Sequence, residues 1–592
     1  MEKPTQIEIR KQRQQRAALV KKAGSVAEAC RSAGLPHKVD LTLSEGLVLG
    51  LIEQDVRTFY TVFGHGSTEV GEVLRIYQEA GLVKVYGLRS EIEASHAAAA
   101  LRWVTGEKAA VVTSIGPGAL QGLAASIVPA SDGIGVWYLF GDETSQDEGY
   151  NMQQIPRHEQ GSFQKLMSAM GRTYTLHTPQ ALSSALKAGA ATVDHPYRPG
   201  PFFVLIPMNT QAYWMEDFNL GELTGVTPVQ LPAANGDYQA AVRAINSAER
   251  VLVKAGGGSI GAAEELVKLL DLSGGVLAHT PIATGCMPYS NPANMGVGGS
   301  KGSLCGNHAM DNADLLIAVG TRAVCQSDSS RTAYPKVKQV ININADPEDA
   351  LHYHQTIPLV GDVKLTLAEL NRALQAGIPG KRSAAWQKEC AGIKQQWQDF
   401  KAQRLELPVL FDEYWQQEVL TQPAAIMTAM DWAKKNRVIS FFDAGDVQAN
   451  GFQIAEDEKP GLTITETGAS YMGFAVSALL ASGTARKPFY GLAFSGDGSF
   501  TMNPQVLIDG AEHGARGCIL LLDNGRMAAI SGLQEAQYQQ EFATADHVKV
   551  DYLQWAAAVQ GVKALEGGHT IEELIRALDE ARQYEGLSLI RV

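Results

Sequence analysis

Gly496-Asp497-Gly498-Ser499-Phe500, followed by Leu521-Leu522-Asp523-Asn524-Gly525, decides how this 592-residue chain is read. Asn524 stands 27 positions after Asp497, and the interval holds a helix-like stretch ending in an apolar run, Cys518 to Leu522. The layout is strand, glycine turn, helix, strand, polar turn. In a parallel α/β sheet it brings a carboxylate and a carboxamide together at the carboxyl edge, where such folds bind ligands. Two hard oxygen ligands beside glycine amides suit Mg²⁺ holding a diphosphate, because Mg²⁺ takes a few protein oxygens together with phosphate oxygens. A Gly-Asp-Gly turn alone is usually only a turn. The spaced Asn between two apolar strands gives it meaning.

This pattern resembles the diphosphate anchor of thiamine diphosphate enzymes, and more of the chain falls into the same register. Thr61-Val62-Phe63-Gly64-His65-Gly66-Ser67 resembles their first glycine turn. Thr113-Ser114-Ile115-Gly116-Pro117-Gly118-Ala119 resembles their Thr-Ser-Gly-Pro-Gly turn with one additional residue. Asp443-Ala444-Gly445-Asp446-Val447-Gln448 resembles the turn that opens the cofactor half, with Val447 where a His is common. Gly468-Ala469-Ser470-Tyr471-Met472-Gly473 resembles the segment whose Met supports the bent cofactor. From about residue 41 to 592 the chain is similar to the acetolactate synthase superfamily. That resemblance implies thiamine diphosphate and Mg²⁺. It puts the Asp497 and Asn524 side chains and the Arg526 carbonyl on the metal, and Gly445, Gln448, Met472, Gly496, Gly498 and Ser499 around the cofactor.

Such a cofactor must also be activated. The family does this through the cofactor's own aminopyrimidine, which needs a glutamate at its ring nitrogen, five residues before a His on an alanine-rich helix. Here Val83-Lys84-Val85-Tyr86 reads as the strand and Ala97 to Leu101 as the helix, with Glu91-Ile92-Glu93-Ala94-Ser95-His96 between them. Alignment on His96 selects Glu91. Glu93 is the rival carboxylate, because the family's Gln-Gly after the Glu is absent. Without the family pattern, a Glu at a helix start is explained by the helix dipole.

His65 sits in the first glycine turn, where many relatives carry a non-titrating residue. An imidazole there can give a proton to a developing alkoxide or position water, although a lone His in a turn is usually structural. His96 reads as part of the packed helix, and no spacing links His158, His308 or His513 to the site.

The resemblance implies chemistry at a bond next to a carbonyl, on a 2-oxo acid or a 1,2-diketone. The Phe-Gly-His-Gly turn, the lengthened Thr-Ser-Ile-Gly-Pro-Gly turn and the Asp523-Asn524 pair look like the trihydroxycyclohexanedione hydrolase subgroup, which opens a cyclic diketone by hydrolysing a carbon–carbon bond. The alternatives are a carboligase or decarboxylase of the acetolactate synthase type, and a non-catalytic cofactor-binding homologue, against which intact Glu91, Asp497 and Asn524 argue. Glu91 and the anchor lie in different domains and are expected to meet across a subunit interface, giving a homodimer or homotetramer. Leu587-Ser588-Leu589-Ile590-Arg591-Val592 reads as the last strand, without the tail that often covers the active site in relatives.

The expected fold is α/β: three domains of parallel sheet flanked by helices, named by the resemblance as pyrimidine-binding (41–215), central (236–375) and diphosphate-binding (421–592). A connector spans 376–420, and a basic extension, an exposed helix or flexible arm, spans 1–40. Leu41, Leu43, Leu47, Leu51 and Ile52 give a helical apolar face at the first boundary. Ala255-Gly256-Gly257-Gly258-Ser259-Ile260-Gly261 after a strand raises a dinucleotide turn. Glycines there also let a helix pack on its strand, so bound FAD or ADP is not expected, and Asp346-Pro347 reads as a plain turn starter. The net charge of -13 and the lack of basic clusters interleaved with aromatics exclude a general nucleic-acid surface. Six scattered cysteines without CxxC spacing read as free thiols in a reducing compartment. No apolar stretch suits a bilayer or a secretory signal, so a cytoplasmic enzyme is expected.

Overall fold

Three sheets of six parallel strands organise the chain. The computed structural model describes residues 4–146, 153–154, 161–223, 225, 229–329, 332–377, 384–413 and 415–592; His158 lies outside them. The chain forms two compact units. One comprises Met1–Pro228, Ser477–Pro488 and Gln505–Ala515; the other comprises Val229–Val476, Phe489–Pro504 and Arg516–Val592.

In the first unit the spatial order of strands is Lys84–Gly87, Val56–Val62, Lys108–Thr113, Val136–Asp142, Pro201–Pro207, Arg172–Thr175. The four inner strands are largely buried because a parallel sheet is covered on both faces, whereas the edge strands Lys84–Gly87 and Arg172–Thr175 are more polar. On one face Phe59, Trp137, Leu139, Phe202 and Val204 meet the helices Leu43–Glu53 and Leu182–Val193 in a single core. Burying a side chain such as Phe202 contributes about 1.5–3 kcal/mol. Gly189 lets its helix lie directly on the Trp137 ring: a Cβ there would come within 1.9 Å of it. Leu41 falls in the strand Lys38–Thr42, which pairs antiparallel with Trp214–Asn219, so the helical apolar face begins only at Leu43.

The basic extension is a helix, Gln6–Ala23, capped by Thr5 and Glu8 in a reciprocal capping box. It is not a free arm. Ile9, Arg13, Arg16, Ala17 and Val20 are buried.

The second unit carries the other two sheets. The central one runs Asn294–Val297, Val276–His279, Val251–Ala255, Leu315–Val319, Gln339–Asn344, Thr356–Val360. Its glycine turn after Val251–Ala255 packs backbone on backbone: a Cβ at Gly256 would meet the Gly320 carbonyl at 2.5 Å, and Gly258 N–H donates to that carbonyl at 3.0 Å. The connector helix Ala384–Glu406 is docked on this sheet by Trp386, whose Nε1 donates to the Val251 carbonyl at 3.1 Å. The last sheet runs Thr463–Thr465, Ile439–Phe442, Gly491–Gly496, Gly517–Leu522, Leu587–Arg591, Val562–Glu566. Among the described residues no helix is long and apolar enough to cross a membrane.

Candidate active site

Ligands of open α/β sheets sit outside the carboxyl ends of the strands, at the point where successive connections turn in opposite directions. In the last sheet that point lies between Ile439–Phe442 and Gly491–Gly496; the Gly496-Asp497-Gly498 turn starts there, and the Asp523-Asn524 turn leaves the adjacent strand Gly517–Leu522. Gly496 pairs with Leu522 on the next strand, so Asp497 and the Asp523-Asn524 pair leave neighbouring strands at one level. Asp497 is only 3 % exposed, and its Oδ2 accepts the Gly525 N–H at 3.0 Å. Burial raises its carboxyl above the ordinary range. Asp523 is pushed up to about 7, by burial first and then by Asp497, and its Oδ2 is buried with no hydrogen-bond partner. Asn524 Oδ1 accepts the Arg526 N–H at 3.1 Å, and Arg526 bridges to Ala545 through the main chain.

The glycines of this turn leave room. A Cβ at Gly496 would meet nothing within 4 Å, and one at Gly498 only Met472 Cε at 3.7 Å. Crowded buried carboxyls, an orphaned oxygen and a rim free of side chains fit a divalent cation and a diphosphate, and the donors are the oxygens that hard cations take.

The loop that brings Met472 to Gly498 is held by two buried carboxylates. Asp443, pushed up to about 7 by burial, accepts the Gly473 N–H on Oδ1 and the Ser495 hydroxyl on Oδ2, both at 2.8 Å. Glu466 accepts the amides of Ser470 at 3.1 Å and Tyr471 at 2.7 Å. Gly473 has φ 86°, and a Cβ there would strike the Asn503 side chain at 2.6 Å. Gln448 braces the same loop: its Nε2 donates to the Glu466 carbonyl, and its Oε1 accepts the Ser470 hydroxyl at 3.4 Å. Gly445, at φ 95°, opens the helix Asp446–Ile454, and Ser499 is buried in the short helix Asp497–Phe500. Sequence reasoning missed Asp443 and Glu466 as functional supports. Their only signal is an acid at the end of an apolar strand.

At the carboxyl edge of the first sheet, Glu91 opens the helix Glu91–Thr105 behind its N-cap Ser90. Its carboxyl is raised by burial, and its Oε1 lies 2.7 Å from where a Cβ on Gly118 would stand. A glycine at that point of the Ser114–Gly118 turn is what leaves Glu91 its place. Glu93 goes elsewhere. It is fully buried, raised well above the carboxylate range by burial and then by Asp509, which itself receives the Arg89 N–H at 3.0 Å. The structure thus separates the two rivals: Glu91 at the glycine turn, Glu93 in packing against Val506–Glu512.

His65 begins a one-turn helix, His65–Ser67, after the neighbouring strand, and its side chain is exposed. The backbone beneath it is fixed. Gly66 N–H donates to Ser114 Oγ at 3.1 Å, and Gln211 Nε2 donates to the Gly66 carbonyl at 2.7 Å. A Cβ on Gly141 would stand 2.4 Å from that carbonyl, and one on Gly64 2.6 Å from Ser114 Cβ. His96 is buried on the Glu91 helix and pushed down to about 3, hence neutral. His513 Nε2 meets the Gly87 carbonyl at 2.7 Å, and His308 Nε2 meets Glu389 at 3.0 Å.

With both edges described, the class follows: the chain belongs to the thiamine pyrophosphate enzymes. Three family models match it in order, the N-terminal TPP binding domain at 41–170, the central domain at 238–370 and the C-terminal TPP binding domain at 443–592. Among curated proteins it is similar to the 3D-(3,5/4)-trihydroxycyclohexane-1,2-dione hydrolase of Listeria monocytogenes serovar 1/2a, 27% identical over 93% of this chain and 92% of that protein. The Bacillus subtilis protein of that name is 26% identical over 94% and 92%, and that of Lacticaseibacillus casei 27% over 92% and 88%.

Proposed function

We propose that this enzyme hydrolyses a carbon–carbon bond of a cyclic 1,2-diketone of the trihydroxycyclohexanedione type, with thiamine diphosphate held through Mg²⁺. The observation that carries the reading is the His65 turn: a proton-transferring side chain, exposed above a backbone clamped by Ser114 and Gln211, at the edge that also carries Glu91. Likeness to the trihydroxycyclohexanedione hydrolases over nearly their whole length supports it.

Bound thiamine diphosphate supplies a nucleophilic carbon and a sink for the electrons of the breaking bond. This chain's residues do the rest. Asp497, Asn524 and the Arg526 carbonyl would hold Mg²⁺, Gly496 and Gly498 would admit the diphosphate, and Met472 would support the cofactor. Glu91 would face the cofactor's pyrimidine and could hold a proton there, a task for which a carboxyl raised by burial is suited. His65 takes a proton from water and returns one to the carbon side of the broken bond, so that one water is consumed and a single carboxylic acid appears. The reading includes at least a homodimer, the family's arrangement for bringing activator and anchor together; a fully active monomer would overturn that part.

The test is to supply the holoprotein with cyclohexane-1,2-dione, its trihydroxy derivative, pyruvate and other 2-oxo acids, following acid formation and carbon dioxide. Acid from a diketone without carbon dioxide is expected. Carbon dioxide release from a 2-oxo acid, with the diketones inert, would replace the hydrolase by a decarboxylase or carboligase. His65→Ala should retain thiamine diphosphate and lose roughly a hundred- to ten-thousandfold in turnover, the range of acid–base groups.

A further inference from the structure

The helix Gln6–Ala23 lies ahead of the part of the chain that the family models match, which starts at residue 41. Its docking is explained by Arg16. That guanidinium is bidentate with Glu45 at 2.7 Å on both contacts, and Glu45 also accepts the Tyr77 hydroxyl at 2.9 Å. Arg13 is different. At 1 % exposure it is among the largest fully buried side chains, and its Nε stands 3.5 Å from the Glu45 carboxylate that Arg16 holds at 2.7 Å. Its Nη2 reaches beyond Glu45, donating to the Thr42 hydroxyl at 2.8 Å and pairing with the Glu69 carboxylate.

Glu69 is the second residue of the helix Thr68–Glu79, which grows directly out of the His65–Ser67 turn. Thr68, one residue earlier, donates its hydroxyl to the His65 carbonyl at 3.1 Å. The contacts therefore run from Arg13 to Glu69, through the first turn of that helix, to the backbone of His65. Other groups hold the far side of the turn: Ser114 on Gly66 N–H and Gln211 on its carbonyl. Burying a guanidinium is costly unless it is paired, and an apolar side chain of equal length would dock a helix at lower cost. Arg10 pairs with Glu72 farther along the same helix at 3.2 Å, but both are solvated and contribute little.

We propose that Arg13 is a positioning residue for the reaction: through Glu69 it fixes the near side of the His65 turn, so the amino-terminal helix forms part of the active-site scaffold. This rests on the reading of His65 as the proton-transfer group.

A double-mutant cycle on the holoenzyme tests it. Arg13→Met keeps the length and packing of the side chain; Glu69→Gln, on the more exposed partner, removes the charge with little risk to folding. Each is measured for kcat and KM with trihydroxycyclohexane-1,2-dione and for retained thiamine diphosphate, with His65 present and in a His65→Ala background. Each should lower kcat about tenfold, within the range that misplacement of a catalytic group costs. KM and cofactor retention should stay unchanged, and neither variant should lower kcat further once His65 is gone. Unchanged kcat in Glu69→Gln, or an equal loss with and without His65, would overturn the positioning role while leaving the function intact. Full turnover in His65→Ala itself would remove the reading on which both stand.

Discussion

The first and last sheets of this protein thread their strands in the same order, with the second strand outside the first and the sixth inside the fifth. Both place glycine turns at the same switch point, yet they use glycine in opposite ways. On the first sheet the glycines close space: Gly64 lies against Ser114, Gly141 against the Gly66 carbonyl, Gly118 against Glu91. What emerges is a fixed edge bearing a carboxyl and an imidazole. On the last sheet Gly496 faces nothing within 4 Å, and Gly498 only Met472. One topology thus makes both an edge that aims side chains and an edge that leaves room, and the difference lies in what the next turn brings up against each glycine.

The largest test of that contrast is Asp497→Ala. It removes the carboxylate proposed to hold the metal at the open edge, and thiamine diphosphate retained after desalting should fall to background. Retention at the wild-type level would mean that the open edge is not the seat of the cofactor. Glu91→Gln should do the reverse: retention stays, while turnover and deuterium exchange at the cofactor's reactive carbon fall by roughly a hundred- to ten-thousandfold.

Gly118→Ala probes the closing role directly. Its Cβ would stand 2.7 Å from Glu91 Oε1, so the carboxyl must move. We expect about a tenfold loss in kcat with cofactor retention unchanged; wild-type kcat would show that Glu91 needs no such fit. The smallest effect is expected from Glu93→Gln. Its folded-state pKa lies well above the ordinary carboxylate value of 4.5, so the native protein prefers Glu93 protonated. That preference is satisfied at low pH and becomes a growing penalty as pH rises above 4.5. The Gln variant should match wild type in turnover, match its thermal midpoint near pH 4 and exceed it increasingly toward pH 8. A loss of turnover instead would make Glu93 the activator.

How much of this was legible depended on where each residue's partner lies in the chain. The place of the Asp497 and Asp523-Asn524 turns at a sheet edge was legible because such an edge announces itself as polar and glycine residues ending apolar runs, as at Leu520-Leu521-Leu522-Asp523-Asn524. The three parallel sheets were legible for the same reason. Glu91 was separable from Glu93 only by family register; what separates them physically is a contact with Gly118 on one side and with Asp509 on the other, the latter more than 400 residues away. Asp443 and Glu466 hid because their work is to accept amides from a loop, which any acid could do. The amino-terminal helix read as solvated because a row of charges does not reveal which of them is buried: Arg13 and Arg16 are, against Thr42, Glu45 and Glu69. Leu41 joins the helical apolar pattern in the sequence because its strand partner, Met215, comes 174 positions later.

The first unit includes Ser477–Pro488 and Gln505–Ala515, and these supply the Thr484 hydroxyl bonded to Tyr60 and the Asp509 carboxylate that holds Arg89. On a ribosome adding about 5–20 residues per second, the roughly 290 residues between Pro228 and Ala515 take on the order of 15–60 s to make. For that interval the first sheet waits with Tyr60 and Arg89 uncovered, although everything amino-terminal to it is finished. Synthesis is therefore a period of exposure for this protein, and a chain arrested anywhere in its middle third would present an incomplete core to whatever holds nascent chains. The edge that carries Glu91 and His65 is thus started first and completed almost last.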